Sequence, residues 1–158
     1  MRWIWIDRFV EFESGVRAVA VKNVTLAEDH LHDHWEAFPV HPASLMIEGM
    51  AQTAGILVGE ARDFSEKVIL AKIAKAEFTD IVVPGDQITF EAEIETIADE
   101  AAATRGVIKR NGEQIGEVNL MFSHIDRNLA GQKFPEENFV FTGQFRRLIA
   151  PMLEGRDG

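Results

Sequence analysis

His34-Trp35-Glu36-Ala37-Phe38-Pro39-Val40-His41-Pro42-Ala43-Ser44-Leu45-Met46-Ile47-Glu48-Gly49-Met50-Ala51-Gln52-Thr53-Ala54-Gly55-Ile56-Leu57-Val58 is the stretch whose reading decides the fold. Its first part cannot be helical throughout, because Pro39 and Pro42 each lack an N–H and bias the preceding residue toward extended backbone. From Ala43 to about Ala61 the pattern predicts a helix, with Pro42 near its start. Leu45, Met46, Ile47, Met50, Ala51, Ala54, Ile56, Leu57 and Val58 surround that helix with apolar side chains. A helix apolar on every side is a buried helix. It is too short, and too interrupted by Glu48 and Gln52, to span a membrane. Ser44, Glu48 and Gln52 fall four residues apart and therefore share one stripe. A carboxylate in a buried helix is costly unless it is paired, protonated or used. Glu48 is thus the first functional candidate.

The chain around it has 158 residues, enough for one domain with a real core. It contains no cysteine, which excludes disulfides, a thiolate nucleophile and zinc–thiolate sites. The apolar run at the N-terminus is too short for a signal peptide, so a cytoplasmic location is expected. A net charge of −10 argues against nucleic acid and anionic membranes as partners.

The flanking sequence predicts mostly strands. Trp3 to Phe12 and Val16 to Thr25 read as a hairpin about Ser14-Gly15. Leu26 to Val40 reads as a loop carrying His30, His32 and His34 at alternate positions. Val68 to Phe78 is a third strand, followed by a turn at Val82-Val83-Pro84-Gly85-Asp86. Gln87 to Ile97 alternates Ile88, Phe90, Ala92 and Ile94 against Thr89, Glu91, Glu93 and Glu95. Ala102 to Arg110 and Gln114 to His124 complete a meander joined by Asn111-Gly112, the strongest short hairpin signal in the chain. The composition then changes. Residues 1–126 are expected to form one domain. Residues 127–158 are read as a C-terminal extension packed on it, with a short helix over Gln144 to Leu153. Long antiparallel strands and one apolar helix predict an α+β fold, a sheet wrapped around that helix.

Residues 34–52 resemble the 3-hydroxyacyl-(acyl-carrier-protein) dehydratases of the hot-dog fold, the FabA/FabZ type. The family pattern is His-Phe-Pro-Gly-x-Pro-x-x-Pro-Gly, a few apolar residues, an acidic residue, then Ala-x-x-Gln or similar. His34, Pro39, Pro42, Leu45, Glu48, Ala51 and Gln52 match it without a gap, and 14 residues separate His34 from Glu48 as in the family. Asp7-Arg8, Ala20 to Thr25, Lys75-Ala76, Phe78 and Val82 to Gln87 extend the likeness over roughly residues 5–125. Three departures stand out. Trp35-Glu36-Ala37 replaces Phe-Pro-Gly, Ala43 replaces the glycine opening the helix, and Glu77, Thr79 and Asp80 replace the usual basic residues.

The resemblance implies dehydration of a 3-hydroxyacyl thioester, linked to acyl carrier protein or coenzyme A, in fatty-acid-type metabolism. Such a reaction needs a base for the C2 proton, an acid for the departing C3 hydroxyl and donors for the thioester oxygen. His34 suits the base, since a neutral imidazole is available near pH 6.5. Glu48 suits the acid, with Met46, Ile47, Met50 and Trp35 as an apolar wall. Unpaired N–H groups around Ala43 and Ser44 suit the oxyanion. Gln52 is expected to support the substrate site by hydrogen bonding. The resemblance further implies a homodimer with His34 and Glu48 meeting across its interface.

No cofactor is expected. Alternating His30, His32 and His34 would permit metal ligation in an extended strand, but the reading is of no metal site. His41 and His124 are read as structural or exposed, and Trp3 and Trp5 as core or interface. Two other functions fit the fold: hydrolysis of an acyl thioester, and a non-catalytic acyl-binding or assembly role.

Overall fold

The computed structural model describes residues 3–32, 37–128 and 131–154. Alternating hydrophobicity produces the sheet. It comprises β1 (Arg8–Glu13), β2 (Arg17–Asn23), β3 (Val68–Phe78), β4 (Gln87–Ile97), β5 (Ala101–Arg110) and β6 (Glu113–His124). All pairings are antiparallel, in the order β1-β2-β4-β5-β6-β3. Ile88, Phe90 and Ala92 are fully buried, because a strand sends every second side chain to the core face. On the opposite face Glu91 is paired with Lys109 at 2.6 Å and with Arg17 at 3.3 Å. The Asn111-Gly112 turn has both residues in the left-handed region, φ 51° and 89°, which matches the twist of the strands it joins.

The helices among the described residues are α1 (Asp29–His32), α2 (Ala43–Glu60), α3 (Ile125–Asn128) and α4 (Gly143–Glu154). α2 is the expected central helix. Met46, Met50, Ala54, Leu57 and Val58 face the sheet and are almost inaccessible. Gly49 allows this approach, since a Cβ there would sit 2.4 Å from the ring of Phe90. The opposite side, through Ile47, Glu48, Ala51 and Gln52, is only half-buried. No described helix is long and apolar enough to cross a membrane.

The first strand begins later than its composition suggests. Trp3 and Trp5 bond instead to Glu48 and Gln52 of α2, while Asp7 already meets β2, its N–H donating to Val21 O at 2.8 Å. Residues 26–40, expected as loop, include the single turn α1. β3 is an outer strand of the sheet and is largely exposed, with Ile69, Leu70 and Ile73 between 36% and 45% accessible.

Residues 138–154 are fastened by one asparagine. Asn138 Nδ2 donates to the carbonyls of Phe64 and Glu66 at 3.1 and 3.0 Å, while its Oδ1 accepts from the N–H groups of Val140 and Phe141 at 3.0 and 2.9 Å. Phe141 then packs on Phe64, with ring centroids 5.0 Å apart. Thr142 caps α4 by accepting from Phe145 N–H at 3.1 Å.

Candidate active site

The start of α2 supplies unpaired donors. Pro42 enters the helix in extended backbone, φ −62° and ψ 140°, and makes no side-chain cap. Its carbonyl accepts from Leu45 and Met46 at 3.0 and 3.2 Å. The N–H groups of Ala43 and Ser44 lie before these and have no acceptor within the helix. Both residues are exposed. A cavity of about 420 Å³ opens here, lined among others by His41, Ala43, Met46, Phe78 and Ile81.

Glu48 lies one turn beyond Ser44. Its Oε1 accepts from the indole N–H of Trp3 at 2.9 Å and from Gln52 Nε2 at 3.0 Å. Gln52 is held in turn: its Oε1 accepts from Trp5 N–H at 2.8 Å, and its Nε2 also donates to the carbonyl of Trp3 at 3.2 Å. The segment before β1 is thus laced across α2, and it fixes the carboxylate. Trp5 is buried and Trp3 is 59% exposed, so these two tryptophans divide between core and surface.

Glu48 faces a second cavity of about 320 Å³. Its lining includes Gly55, Val68, Phe122, Phe141 and Phe145, and Glu48 is the ionisable group among the described lining residues. A carboxyl in the lining of an apolar groove can meet a polar reacting centre while the groove takes a hydrocarbon tail.

The loop before α2 is closed by a partly buried polar cluster. His30 Nε2 lies 3.3 Å from His41 Nδ1. His41 is 1% exposed, and its backbone N–H donates to Val82 O at 2.8 Å. Burial pushes the His41 imidazole down to about 4, helped by His30 and Lys22. Burial likewise lowers His30, with Glu28 opposing. Lys22 Nζ is 3.0 Å from Glu28 Oε2, and Lys22 also lies over the Trp5 ring at 5.6 Å from its centroid. Burial raises the Glu28 carboxyl, but the Thr25 N–H and Lys22 outweigh it and hold the group below its ordinary value. Glu28, His30 and His41 present ligand atoms within 4.8 Å of one another, yet Lys22 already neutralises the carboxylate. The cluster therefore reads as a tie between the two ends of the loop.

His34 and Trp35 lie outside the described residues, as does the side chain of His32. Of the site residues expected from sequence, Ala43, Ser44, Glu48 and Gln52 fall along one edge of α2. His30 lies beside His41. His41 and His124 are both buried. Trp3 as a donor to Glu48 had no sequence signal, because 45 residues separate the two.

Residues 3–120 match the family model described as a FabA-like domain. The 3-hydroxyacyl-(acyl-carrier-protein) dehydratase FabZ of Caldanaerobacter subterraneus subsp. tengcongensis is 37% identical over 121 residues, which cover 76% of this chain and 86% of that protein. FabZ of Halalkalibacterium halodurans is 36% identical over 122 residues, covering 77% and 87%. Among solved structures, the dehydratase heterocomplex ApeI:P from Xenorhabdus doucetiae aligns with a TM-score of 0.65 at 14% identity, covering 77% of this chain and 83% of that one. A hypothetical thioesterase with coenzyme A from Streptococcus pneumoniae aligns with a TM-score of 0.59 at 9% identity, covering 73% and 82%. At such identities these structures speak for the fold alone, a sheet wrapped around a central helix.

Proposed function

The chain belongs to the FabA-like family, and on that premise we propose that it dehydrates a 3-hydroxyacyl thioester to the 2-enoyl thioester, with His34 as base and Glu48 as acid. The observation that carries this reading is the placement of Glu48 in the lining of a largely apolar groove, 14 residues after His34. His34 takes the C2 proton. The electrons move toward the thioester oxygen, which the N–H groups of Ala43 and Ser44 stabilise as negative charge develops. Glu48 gives its proton to the C3 hydroxyl, which leaves as water while the C2–C3 double bond forms. A proton passed from His34 back to Glu48 resets the pair. Gln52 and Trp3 position the carboxyl, and Trp35 follows the base in the wall of the site.

The working form in this reading is a homodimer. Its motive is the half-buried outer side of α2, beside an outer strand that leaves Ile69, Leu70 and Ile73 exposed. The pair then combines His34 of one subunit with Glu48 of the other. The acyl group arrives on acyl carrier protein or coenzyme A. Docking of an acidic carrier is weak here, because Glu77 and Asp80 stand where basic residues are usual and several nearby cations are already paired with acids. Lys75 meets Glu117 at 2.9 Å and Glu77 at 3.2 Å, Arg110 meets Asp80 at 2.7 Å, and Lys109 meets Glu91.

Purified protein incubated with 3-hydroxyacyl thioesters on carrier protein, on coenzyme A and on N-acetylcysteamine tests the proposal. Growth of conjugated enoyl absorbance is the expected result. Thiol release without enoyl product would point to hydrolysis and overturn it, and acyl binding without turnover would leave a binding protein.

A further inference from the structure

We infer that the C-terminal extension sets the acyl chain length this protein accepts, with Phe145 of α4 as the end wall of the groove that begins at Glu48. The inference rests on the proposed acyl-thioester function and concerns which thioesters are used.

The groove is built from two parts of the chain. Ala51, Gly55, Val68 and Phe122 come from α2 and the sheet, while Val140, Phe141 and Phe145 come from the extension. The extension lies beyond the segment that matches the FabA-like model, residues 3–120. It is nevertheless tied firmly to the end of α2. A Cβ on Gly59 would sit 2.5 Å from the Phe141 ring, so the helix and the extension touch there with no space to spare. Asn138 holds the entry to α4 by hydrogen bonds to the turn after α2. The Phe141 and Phe145 rings are 5.9 Å apart, which seats Phe145 against this anchor.

Behind the wall lies further space. A cavity of about 440 Å³ is lined by Trp3, Ile4, Thr142, Gln144, Phe145, Arg147 and Leu148. Trp3 and Phe145 line both cavities, so these side chains form the partition between them. Trp3 also donates to Glu48, which leaves Phe145 as the part of the partition without a bond to the proposed catalytic pair. The occupant that fits is a linear hydrocarbon tail. The groove is about 320 Å³ and is lined mainly by aliphatic and aromatic side chains, with Glu48 and Gln52 as its polar groups. Phe145 limits how far such a tail can extend before it meets a ring.

The test compares wild type with Phe145→Ala and Phe145→Trp on 3-hydroxybutyryl, 3-hydroxyhexanoyl, 3-hydroxydecanoyl and 3-hydroxydodecanoyl N-acetylcysteamine thioesters. The readout is the ratio of kcat/KM for long over short chains. Accepting or refusing one methylene in an apolar pocket changes selectivity by roughly tenfold or more, so Phe145→Ala is expected to raise the ratio at least about tenfold and Phe145→Trp to lower it. Loss of α4 packing alone would move both variants the same way. The same ratio is read as Kd for the saturated butyryl to dodecanoyl thioesters by quenching of tryptophan fluorescence. Binding that shifts with chain length while no variant dehydrates would mean the catalytic reading fails and the length gate stands. Turnover or binding whose length profile is the same in all three proteins would overturn the gate, as would failure of every thioester to bind wild type.

Discussion

The two ends of α2 show opposite ways of using one helix. At the N-terminal end the backbone is left wanting: Ala43 and Ser44 offer N–H groups without helical acceptors, and Glu48 is held by bonds from Trp3 and Gln52. At the C-terminal end the helix is held by close packing. Gly59 lies under the Phe141 ring, and Phe64, at φ 53° in a region disfavoured for bulky residues, is clamped between Phe141 and the Arg146 guanidinium. The first end is built for charge that appears during a reaction. The second is built for fit. Substitutions at the first should therefore change rates with little loss of stability, and substitutions at the second should do the reverse.

The largest expected effect breaks the N-terminal end. His34→Ala and Glu48→Gln should each lower kcat by roughly 10²–10⁴, the usual contribution of one general acid or base, with an unchanged melting temperature. The double variant should be little worse than the poorer single, since the two act as a unit. Near-full activity in Glu48→Gln, measured as enoyl formation, would remove the acid assignment.

The C-terminal end should fail through stability. Gly59→Ala places a methyl group into the Phe141 ring and should cost about 1–3 kcal/mol, the usual range for overpacking. Denaturant titration would show it, and protease should cut the extension before the sheet unfolds. A variant as stable as wild type would mean that the extension gives way without cost.

Next in magnitude comes the histidine tie. His41 has a folded pKa of about 4 against an ordinary 6.5, so the unfolded chain binds more protons between these values. Its contribution to stability is complete above pH 6.5 and is lost as pH falls toward 4, by at most about 1.4 kcal/mol per pH unit. His30 is shifted the same way and adds to the slope, whereas Glu28, shifted below its ordinary 4.5, matters only at lower pH. Chemical denaturation of His41→Phe between pH 6.5 and 5 should show a flatter dependence than wild type. Parallel slopes would show that the tie does not titrate as described.

Trp3→Phe should have the smallest effect. It removes one donor from Glu48 and leaves the Gln52 bond, and the site is open to water at Trp3. A loss near 1 kcal/mol, or about two- to tenfold in kcat, is expected. A loss as large as that of Glu48→Gln would make the indole indispensable to the acid.

Much of the fold was legible in the chain because its signals are local. The period of two in β4 and the Asn111-Gly112 turn each depend on neighbours in sequence, and so does the run of apolar residues that marks α2. The strands over Val68–Phe78 and Gln87–Ile97 fall where the pattern puts them. The edge of α2 that carries Ala43, Ser44, Glu48 and Gln52 follows from helical spacing alone. What the sequence could not reveal are contacts between residues far apart along the chain. No pattern joins Trp3 to Glu48, His30 to His41 across a loop, or Asn138 to the carbonyls after α2. A hydrogen bond constrains two atoms in space and leaves no periodic trace in the residues between them, so the partners of Glu48 and the seat of the C-terminal extension were decided only when the tertiary structure brought those atoms within reach.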